Sequence, residues 1–366
     1  MCMQSKHKKR ICIVSRSLSE GGADRVAAMQ SIFLSDLGHD VFFVTILNSI
    51  QYPFKGELLN LGKIKEDNDT VLGRFKRLLV LKKFLKSNEV DIVIDHRVRS
   101  KWFSEYIISG FIYPKKTIYM VHNYAIVLYF PPITVLTKLL YKKAQHIVCV
   151  SHGIESLVKD IYGFNNLKTI YNPIDLNYID SLKQETILEA SPFIFWYGRF
   201  DEEQKNVSLL VEAYQKSSLP QKKIKLILMG DGKDKELIKN KVMRLDMDAI
   251  IEFIPFSTNP FAYINASKFT VLSSRFEGFP MTILESLACG IPVVSVEYQN
   301  YEDGVIVNEH NGLLVKNQNP EVLAAALNRF IDDEKLYLSC KAKAKQSVMS
   351  FAVENISKQW EDLIEA

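Results

Sequence analysis

Several features that define other protein classes are scarce or missing in this sequence. Its 366 residues include five cysteines and no C-x-x-C pair, which excludes a disulfide scaffold. The net charge of +4 is too small to indicate a nucleic-acid partner. No G-x-G-x-x-G follows the first apolar run, so a nicotinamide oxidoreductase is not indicated either. The cysteines lie mostly in apolar runs and are interpreted as reduced core thiols: Cys2, Cys12, Cys149, Cys289 and Cys340.

One segment is long and uncharged enough to suggest a membrane helix, but its composition argues against one. Residues 117–137 contain no Lys, Arg, Asp or Glu. They include His122 and Asn123 and are broken by a Pro-Pro pair, so a strand, a loop and the start of a helix are predicted. Residues 1–10 are basic and lead into a strand rather than an apolar signal segment. We therefore expect a cytoplasmic protein that contacts, at most, the inner face of the membrane.

Length and periodicity indicate two α/β domains. The chain exceeds what one hydrophobic core usually supports, and its 47% hydrophobic content is globular. In the first half, residues 10–15, 24–37 and 40–47 predict a βαβ unit, with Gly38 at the end of the helix. The strand pattern restarts after residues 172–190, and a final helix is predicted at 351–365. Further strands are predicted at 91–95, 116–121, 145–150, 193–197, 225–229, 250–253, 269–273 and 292–296.

Acidic and histidine residues do not form a metal-binding pattern. The pairs Asp67-Asn-Asp69 and Asp246-Met-Asp248 follow no buried strand and are interpreted as solvated acids. The histidines form no ligand-spaced cluster. We therefore expect no metal ligand and no cofactor.

The most informative segment is residues 275–290, RFEGFPMTILESLACG, between two predicted strands. Pro280 fits the first position of a helix and Gly290 its C-cap. Glu277 would then lie in the loop before the helix and Glu285 on its second turn. A helix N-terminus at the carboxyl end of a parallel strand suits a diphosphate, and the carboxylates could accept hydrogen bonds from hydroxyls of the transferred sugar and of the ribose. Taken singly, Glu277 would equally be a capping charge and Glu285 a partly exposed helix residue.

As a whole, the segment resembles the glycosyltransferase family 4 branch of the GT-B fold, whose signature is two glutamates eight positions apart in an E-G-F-P…E context. That resemblance implies two Rossmann-like domains facing each other across a cleft that holds the donor. An acceptor-binding domain is expected at residues 1–175 and a nucleotide-sugar domain at 176–350, with a C-terminal helix at 351–366 returning to the first domain. Other matches follow the family's order along the chain: Gly21-Gly22-Ala-Asp-Arg25, His122-Asn123, Val150-Ser151, Asn172-Pro-Ile-Asp175, and Gly198-Arg199 with Lys205.

The resemblance also implies a role for each matching residue. Glu277 and His122 would be catalytic, with His122 reaching the transferred sugar. Arg199 and Lys205 would neutralise the donor pyrophosphate, and fixed cations can stabilise a departing diphosphate without a metal. Gly22 would let the backbone approach the reacting centre. The remaining substrate-binding residues would be Gly21, Gly278, Phe279, Pro280, Met281, Thr282 and Glu285.

The implied activity is metal-independent transfer of a hexose or N-acetylhexosamine, with retention, from a UDP-linked donor to a sugar acceptor in capsule, O-antigen or other exopolysaccharide synthesis. No enzymic nucleophile other than Glu277 is apparent, which suggests a front-face displacement. Two alternatives remain open: a sugar-nucleotide isomerase or epimerase, and a catalytically silent sugar-nucleotide-binding partner. Pro173, Pro255 and Asn206 stand where the family commonly has glycine, and Gly230-Asp-Gly232 is a weak motif, so the base and the sugar are left open.

The first half also concentrates positive charge among apolar residues. Residues 73–86 and 134–143 interleave Lys and Arg with Leu, Val and Phe at helical spacing. Each segment would fit a membrane surface, or equally an ordinary amphipathic helix that covers its own sheet. The acceptor is expected to dock on the first half, near the Gly21-Gly22 loop, Arg97 and Arg99. A lipid-linked sugar diphosphate is an acceptor that would fit these basic amphipathic helices.

Overall fold

The structure is a computed structural model that describes residues 8–19, 21–187, 189, 191–299, 301 and 304–365. The chain divides into two compact units between Pro173 and Ile174, and residues from Ile356 onward are grouped with the first unit. Each unit is built on its own parallel sheet. Cys2 lies outside the described residues, whereas the four cysteines within them are buried free thiols.

The first unit contains a seven-stranded sheet in the order β3-β2-β1-β4-β5-β6-β7. All its strand pairs are parallel, with β1 between β2 and β4. The central strands are fully buried because apolar residues occupy both of their faces. The strands are β1 (Arg10–Ser15), β2 (Asp40–Thr45), β3 (Glu57–Asn60), β4 (Ile92–Asp95), β5 (Thr117–Val121), β6 (His146–Cys149) and β7 (Leu167–Thr169).

Helices connect these strands, and three of them begin after a residue whose side chain caps the first turn: Asn60, Thr70 and Ser151. Ser151 caps one helix by accepting from the Ile154 amide, and Gly163 ends it in a left-handed conformation. The helices are α1 (Gly22–Asp36), α2 (Leu61–Asp67), α3 (Val71–Ser87), α4 (Trp102–Ile107), α5 (Thr134–Tyr141) and α6 (His152–Tyr162), with a π-helical turn at Ile108–Ile112 and a 3-10 turn at Ile126–Leu128. Residues 117–137 therefore form a strand, a loop and the start of a helix, as predicted. No helix in the described part of the chain is both long enough and apolar enough to cross a membrane.

The second unit contains a six-stranded parallel sheet in the order β10-β9-β8-β11-β12-β13. Its core is formed by apolar side chains from the sheet and its helices, including Trp196 and Phe200. The strands are β8 (Phe193–Tyr197), β9 (Lys225–Met229), β10 (Ile251–Ile254), β11 (Thr270–Leu272), β12 (Val293–Val296) and β13 (Gly312–Val315). The helices are α7 (Leu176–Leu182), α8 (Glu202–Lys205), α9 (Val207–Lys216), α10 (Lys235–Arg244), α11 (Phe261–Ala266), α12 (Met281–Ala288), α13 (Pro320–Asp332) and α14 (Glu334–Ala344), with a 3-10 segment at Gln346–Phe351. The last helix, α15 (Val353–Glu365), begins in the second unit, and its residues from Ile356 onward are grouped with the first unit.

Every strand predicted from the sequence is confirmed to within a few residues, and three strands were missed. The missed strands, β3, β7 and β13, all lie at the edge of a sheet. They are only three or four residues long, and β3 and β7 are partly exposed. A short edge strand buries less apolar surface than a central one, so its sequence carries a weaker apolar signal.

Candidate functional site

The strand order of the second unit reverses between β8 and β11, and the predicted donor-site residues follow these two strands. Loops that leave such neighbouring strands diverge, which opens a ligand-binding crevice at their carboxyl ends. Arg199 is exposed in the loop that follows β8, and Lys205 ends the short helix α8 beyond it. Glu277 lies in the loop after β11. The fold thus brings together residues that are far apart in the sequence.

Lys205 and Glu277 form a close ion pair at this edge of the sheet. Lys205 Nζ donates to Glu277 Oε1 at 2.6 Å, and Gln204 Nε2 lies 3.4 Å from the other carboxylate oxygen. Glu277 is only 6% exposed. Asn206, which follows Lys205, adopts a left-handed conformation with φ 47°. Asparagine tolerates this conformation better than most residues, which explains how it can replace the glycine common in the family.

The second glutamate is held by a tyrosine that the sequence analysis missed. Tyr197 Oη donates to Glu285 Oε2 at 2.6 Å and also lies 3.2 Å from the Thr282 carbonyl oxygen. Glu285 is 3% exposed, so it is not a solvated helix residue. The sequence feature that could have indicated this contact is the position of Tyr197 at the end of β8, one of the two strands between which the strand order reverses. The structure therefore presents two buried carboxylates, each with a fixed hydrogen-bond donor.

Helix α12 begins one residue later than predicted. Pro280 was expected at the first helical position, but its ψ of 112° is extended and places it at the N-cap, before Met281. The first amides of a helix have no intrahelical acceptor, so this end of α12 offers N–H groups and a positive dipole end. Gly290 follows the helix with φ 80°, a conformation that glycine readily adopts.

The residues between Glu277 and the helix are largely buried. The ring of Phe279 packs against Phe351 with their centres 5.1 Å apart, so it serves the core of this unit. Gly278, Pro280 and Met281 are buried as well. The backbone of this loop, rather than its side chains, is thus the part suited to a bound anion.

Two glycines of the weak Gly-Asp-Gly motif are required by close backbone packing. A Cβ atom on Gly230 would lie 1.9 Å from the Gly198 carbonyl oxygen, and one on Gly232 would lie 2.4 Å from that of Phe200. Each glycine also has a positive φ. The loops after β8 and β9 therefore pack directly against each other. This packing accounts for the motif without a ligand.

In the first unit, the Gly21-Gly22 segment leads directly into α1. Gly21 has φ 110° and ψ −173°, a conformation accessible only to glycine, and Gly22 is the first residue of the helix. The buried Asp24 carboxylate accepts hydrogen bonds from Ser15 at the end of β1, at 2.7 Å, and from Ser17. These contacts fix the position of the glycine turn relative to the sheet.

His122 follows β5 and belongs to a hydrogen-bonded chain with His96, which follows β4. His96 Nδ1 lies 2.9 Å from His122 Nε2, and His96 Nε2 lies 2.7 Å from Gln30 Oε1. Burial lowers the pKa of His122 from 6.5 to about 3, with a smaller contribution from the Arg99 charge. The pKa of His96 is also lowered, chiefly by burial. Both rings are therefore neutral at physiological pH.

Arg97 and Arg99, near which the acceptor is expected, both use their side chains for contacts inside the first unit. Arg97 donates to the Asp95 carboxylate at 2.7 Å and to Glu105 at 3.1 Å. Arg99 is 1% exposed and donates to the backbone carbonyls of Asp95, Arg97 and Met120. A bound acceptor would have to displace these contacts at the cost of unpaired buried charges.

The candidate acidic pairs do not form a metal centre. Asp69 is paired with Arg77 at 2.9 Å, and Asp248 lies between α10 and β10. Across the described residues, no three His, Cys, Asp or Glu side chains lie close enough together to hold a metal ion.

Two family models match consecutive parts of the chain. The model described as Glycosyltransferase Family 4 matches residues 20–178, and the model described as Glycosyl transferases group 1 matches residues 179–347. A similar curated protein is the Campylobacter jejuni N-acetylgalactosamine-N,N'-diacetylbacillosaminyl-diphospho-undecaprenol 4-alpha-N-acetylgalactosaminyltransferase. It is 27% identical over 94% of this chain and 96% of its own length. The amylovoran biosynthesis glycosyltransferase AmsD of Erwinia amylovora is 22% identical over 97% and 99%.

Solved structures show the same fold. Anabaena Alr3699/HepE in complex with UDP and glucose superposes with a TM-score of 0.79 and 18% identity, covering 98% of this chain and all of that one. Sucrose-phosphate synthase from Thermosynechococcus elongatus has a TM-score of 0.78 and 18% identity, covering 98% of each chain. Given the two family models, the paired glutamates and these GT-B folds, the chain belongs to the family 4 glycosyltransferases.

Proposed function

We propose that this glycosyltransferase moves a hexose or N-acetylhexosamine, with retention and without a metal, from a UDP-linked donor to a lipid-linked saccharide in cell-surface polysaccharide synthesis. The observation that carries the proposal is the ion pair between the partly buried Lys205 and the buried Glu277, in the segments that follow β8 and β11. A bare ion pair here would be an inefficient way to stabilise the fold, because both groups lose hydration. It is well suited to a ligand that brings both a diphosphate and sugar hydroxyls.

Each residue of this site has a distinct task in the proposed reaction. Arg199 and Lys205 stabilise the diphosphate as it departs. Glu285, oriented by Tyr197, accepts a hydrogen bond from the ribose, and Glu277 accepts one from the transferred sugar. The role proposed for His122, which belongs to the first unit, is a contact with the transferred sugar. UDP as the donor nucleotide is supported by the Anabaena structure, which contains UDP.

In a front-face displacement, the acceptor oxygen bonds to the anomeric carbon on the side from which the diphosphate oxygen leaves. The acceptor proton passes to an oxygen of the departing phosphate, so no enzymic base or covalent intermediate is required. The contribution of the protein is to align the reactants and to stabilise the developing negative charge.

A sugar-nucleotide panel tests the donor site by thermal unfolding. We expect at least one UDP-sugar, added with EDTA, to raise the melting temperature by about 5 °C or more at a hundredfold excess over Kd, because ligand binding stabilises only the folded state. GDP- and ADP-sugars are the comparison ligands. Tyr197→Phe should weaken the shift by removing the hydroxyl that orients Glu285, and Glu285→Ala should abolish it.

Glu334→Ala is the control, since Glu334 is an exposed glutamate on α14 of the same unit. A silent binding partner would show the shift without sugar transfer, and an isomerase would convert the nucleotide sugar in the absence of acceptor. If no nucleotide sugar shifts the melting temperature, the proposed donor site is wrong.

A lipid-linked acceptor is supported by the name of the Campylobacter relative, which specifies a diphospho-undecaprenol substrate. It is also supported by an exposed surface of the first unit, which we call the apolar-basic surface. Helices α3 and α5 both contact the π-helical turn Ile108–Ile112, so the elements that carry this surface are neighbours in the fold. Its large exposed apolar residues are Val71, Leu72, Phe75, Leu79, Trp102, Phe103, Tyr106, Phe111, Ile133, Val135 and Leu139.

This distribution differs from that of a helix covering its own sheet. In α3, Leu81 and Leu85 are buried, but Leu72 is 80% exposed and Leu79 is 69% exposed. Exposed lysines accompany them on α3 and α5. Aromatic and aliphatic side chains beside lysines suit the interface of an anionic bilayer. The surface is therefore proposed to hold the enzyme at the membrane that contains its acceptor.

Vesicle flotation tests this contact. We expect the protein to float with phosphatidylglycerol vesicles and less with phosphatidylcholine vesicles, because each lysine near an anionic surface contributes about 1 kcal/mol. Changing Lys82, Lys83 and Lys86 to Glu should abolish flotation. The matched control changes Lys335, Lys341 and Lys343 of the second unit, which carry the same charge and are also exposed. Equal flotation of both triple variants would refute the assignment.

A further inference from the structure

Three side chains of the first unit form a hydrogen-bonded chain that ends at His122. Gln30 lies on α1, His96 follows β4 and His122 follows β5. Gln30 is 1% exposed and His96 is 4% exposed, so water does not compete for their contacts. The two imidazole planes are inclined by only 23°, with ring centres 5.0 Å apart. With the nitrogens at 2.9 Å, this geometry places the hydrogen bond near the plane of both rings.

The donor and the acceptor of each hydrogen bond follow from the Gln30 amide, the first group of the hydrogen-bonded series. The Gln30 amide is oriented with Oε1 towards His96 Nε2, and an amide oxygen can only accept, so in this orientation His96 Nε2 carries the proton, while Gln30 Nε2 is buried with no hydrogen-bond partner among the described residues. A neutral His96 then has a lone pair on Nδ1, which must accept from His122. The proton of His122 is therefore on Nε2, and its Nδ1 carries the lone pair.

His122 Nδ1 is buried and has no hydrogen-bond partner within the described part of the chain. A buried polar atom without a partner is costly, and such atoms in native proteins are usually satisfied by a bound group. The missing partner must be a hydrogen-bond donor, because Nδ1 has only a lone pair to offer. Hydroxyls are the donors that a sugar substrate supplies.

We propose that Gln30 and His96 are positioning residues that hold His122 in the tautomer protonated on Nε2, so that Nδ1 accepts a hydrogen bond from a substrate hydroxyl. The identity of that hydroxyl, on the transferred sugar, rests on the proposed function. The arrangement confers specificity: a donor sugar that lacks the hydroxyl leaves the lone pair unpaired and is discriminated against.

Nitrogen-15 NMR of the full-length protein labelled at histidine tests the tautomer directly. We expect the resonances of His122, assigned by comparison with His122→Gln, to show a protonated Nε2 and an unprotonated Nδ1. A protonated Nδ1, or a charged ring at neutral pH, would overturn the proposal. The measurement needs neither substrate nor activity, so its failure is distinguishable from failure of the proposed function.

Gln30→Leu tests whether the glutamine sets the tautomer. Without the amide oxygen, His96 can adopt either tautomer, so we expect the NMR signals of His122 to report both forms and kcat to fall by up to about tenfold. Ser31→Ala is the control, because Ser31 is a buried residue of the same helix that donates to the Ala28 carbonyl oxygen. Loss of the Ser31 hydroxyl should leave the His122 tautomer unchanged. A single Nε2-protonated form in Gln30→Leu would exclude the role assigned to Gln30.

Discussion

Replacing Glu277 with glutamine is expected to lower kcat/KM for sugar transfer by at least about a hundredfold, equivalent to about 2.7 kcal/mol. The amide keeps the size of the side chain but removes the negative charge that pairs with Lys205 at 2.6 Å. The same charge is the proposed acceptor of a hydrogen bond from the transferred sugar. Transfer should be measured with saturating acceptor, and the unfolding temperature should be recorded in parallel. Near-normal turnover of Glu277→Gln would show that the carboxylate is not needed.

The control for this experiment is Glu334→Gln, an exposed glutamate on α14 of the same unit, which should retain full activity. Lys205→Met separates the two halves of the ion pair. If they act together on the donor, the effects of Lys205→Met and Glu277→Gln should be strongly non-additive in the double variant. Additive losses would indicate that the two residues act on different parts of the reaction.

The second large effect is expected on stability. Arg97→Met should lower the free energy of unfolding by about 3–5 kcal/mol, because it leaves the carboxylates of Asp95 and Glu105 without their shared cation. Both acids are almost fully buried, at 0% and 3% side-chain exposure. Tyr113 also donates to Asp95, at 3.2 Å, but a hydroxyl cannot compensate for two charges. Urea unfolding of the full chain, followed by circular dichroism, measures the loss.

Arg329→Met provides the comparison, since Arg329 and Glu309 form an ion pair in which both side chains are nearly half exposed. Removing such a pair should change stability by less than about 1 kcal/mol. If Arg97→Met were as stable as Arg329→Met and instead raised KM for the acceptor, Arg97 would be a binding residue after all. A structural role for Arg97 predicts a change in the free energy of unfolding, and a binding role predicts a change in KM, so the experiment decides between the two roles.

Much of the fold was predictable because it depends on local patterns. Apolar runs between turn residues predicted the central strands, since a parallel sheet is buried on both faces. The motif RFEGFPMTILESLACG predicted a loop and helix with Glu277 and Glu285 in the observed elements. The edge strands β3 and β7 were not predicted, because they are short and partly exposed and carry little apolar signal. The edge strand β13 is apolar and mostly buried, but it is only four residues long.

By itself, the sequence determined the order of the strands along the chain and the chemical groups placed at their ends. The tertiary structure decided which of those groups meet. Tyr197 and Glu285 are 88 positions apart, and Gln30 and His96 are 66 apart, so no local spacing relates them. The tertiary structure likewise decided that the side chains of Arg97 and Arg99 lie in the interior of the first unit. Hydrogen bonds and burial depend on three-dimensional proximity, which is set only when the strands take their places in the sheet.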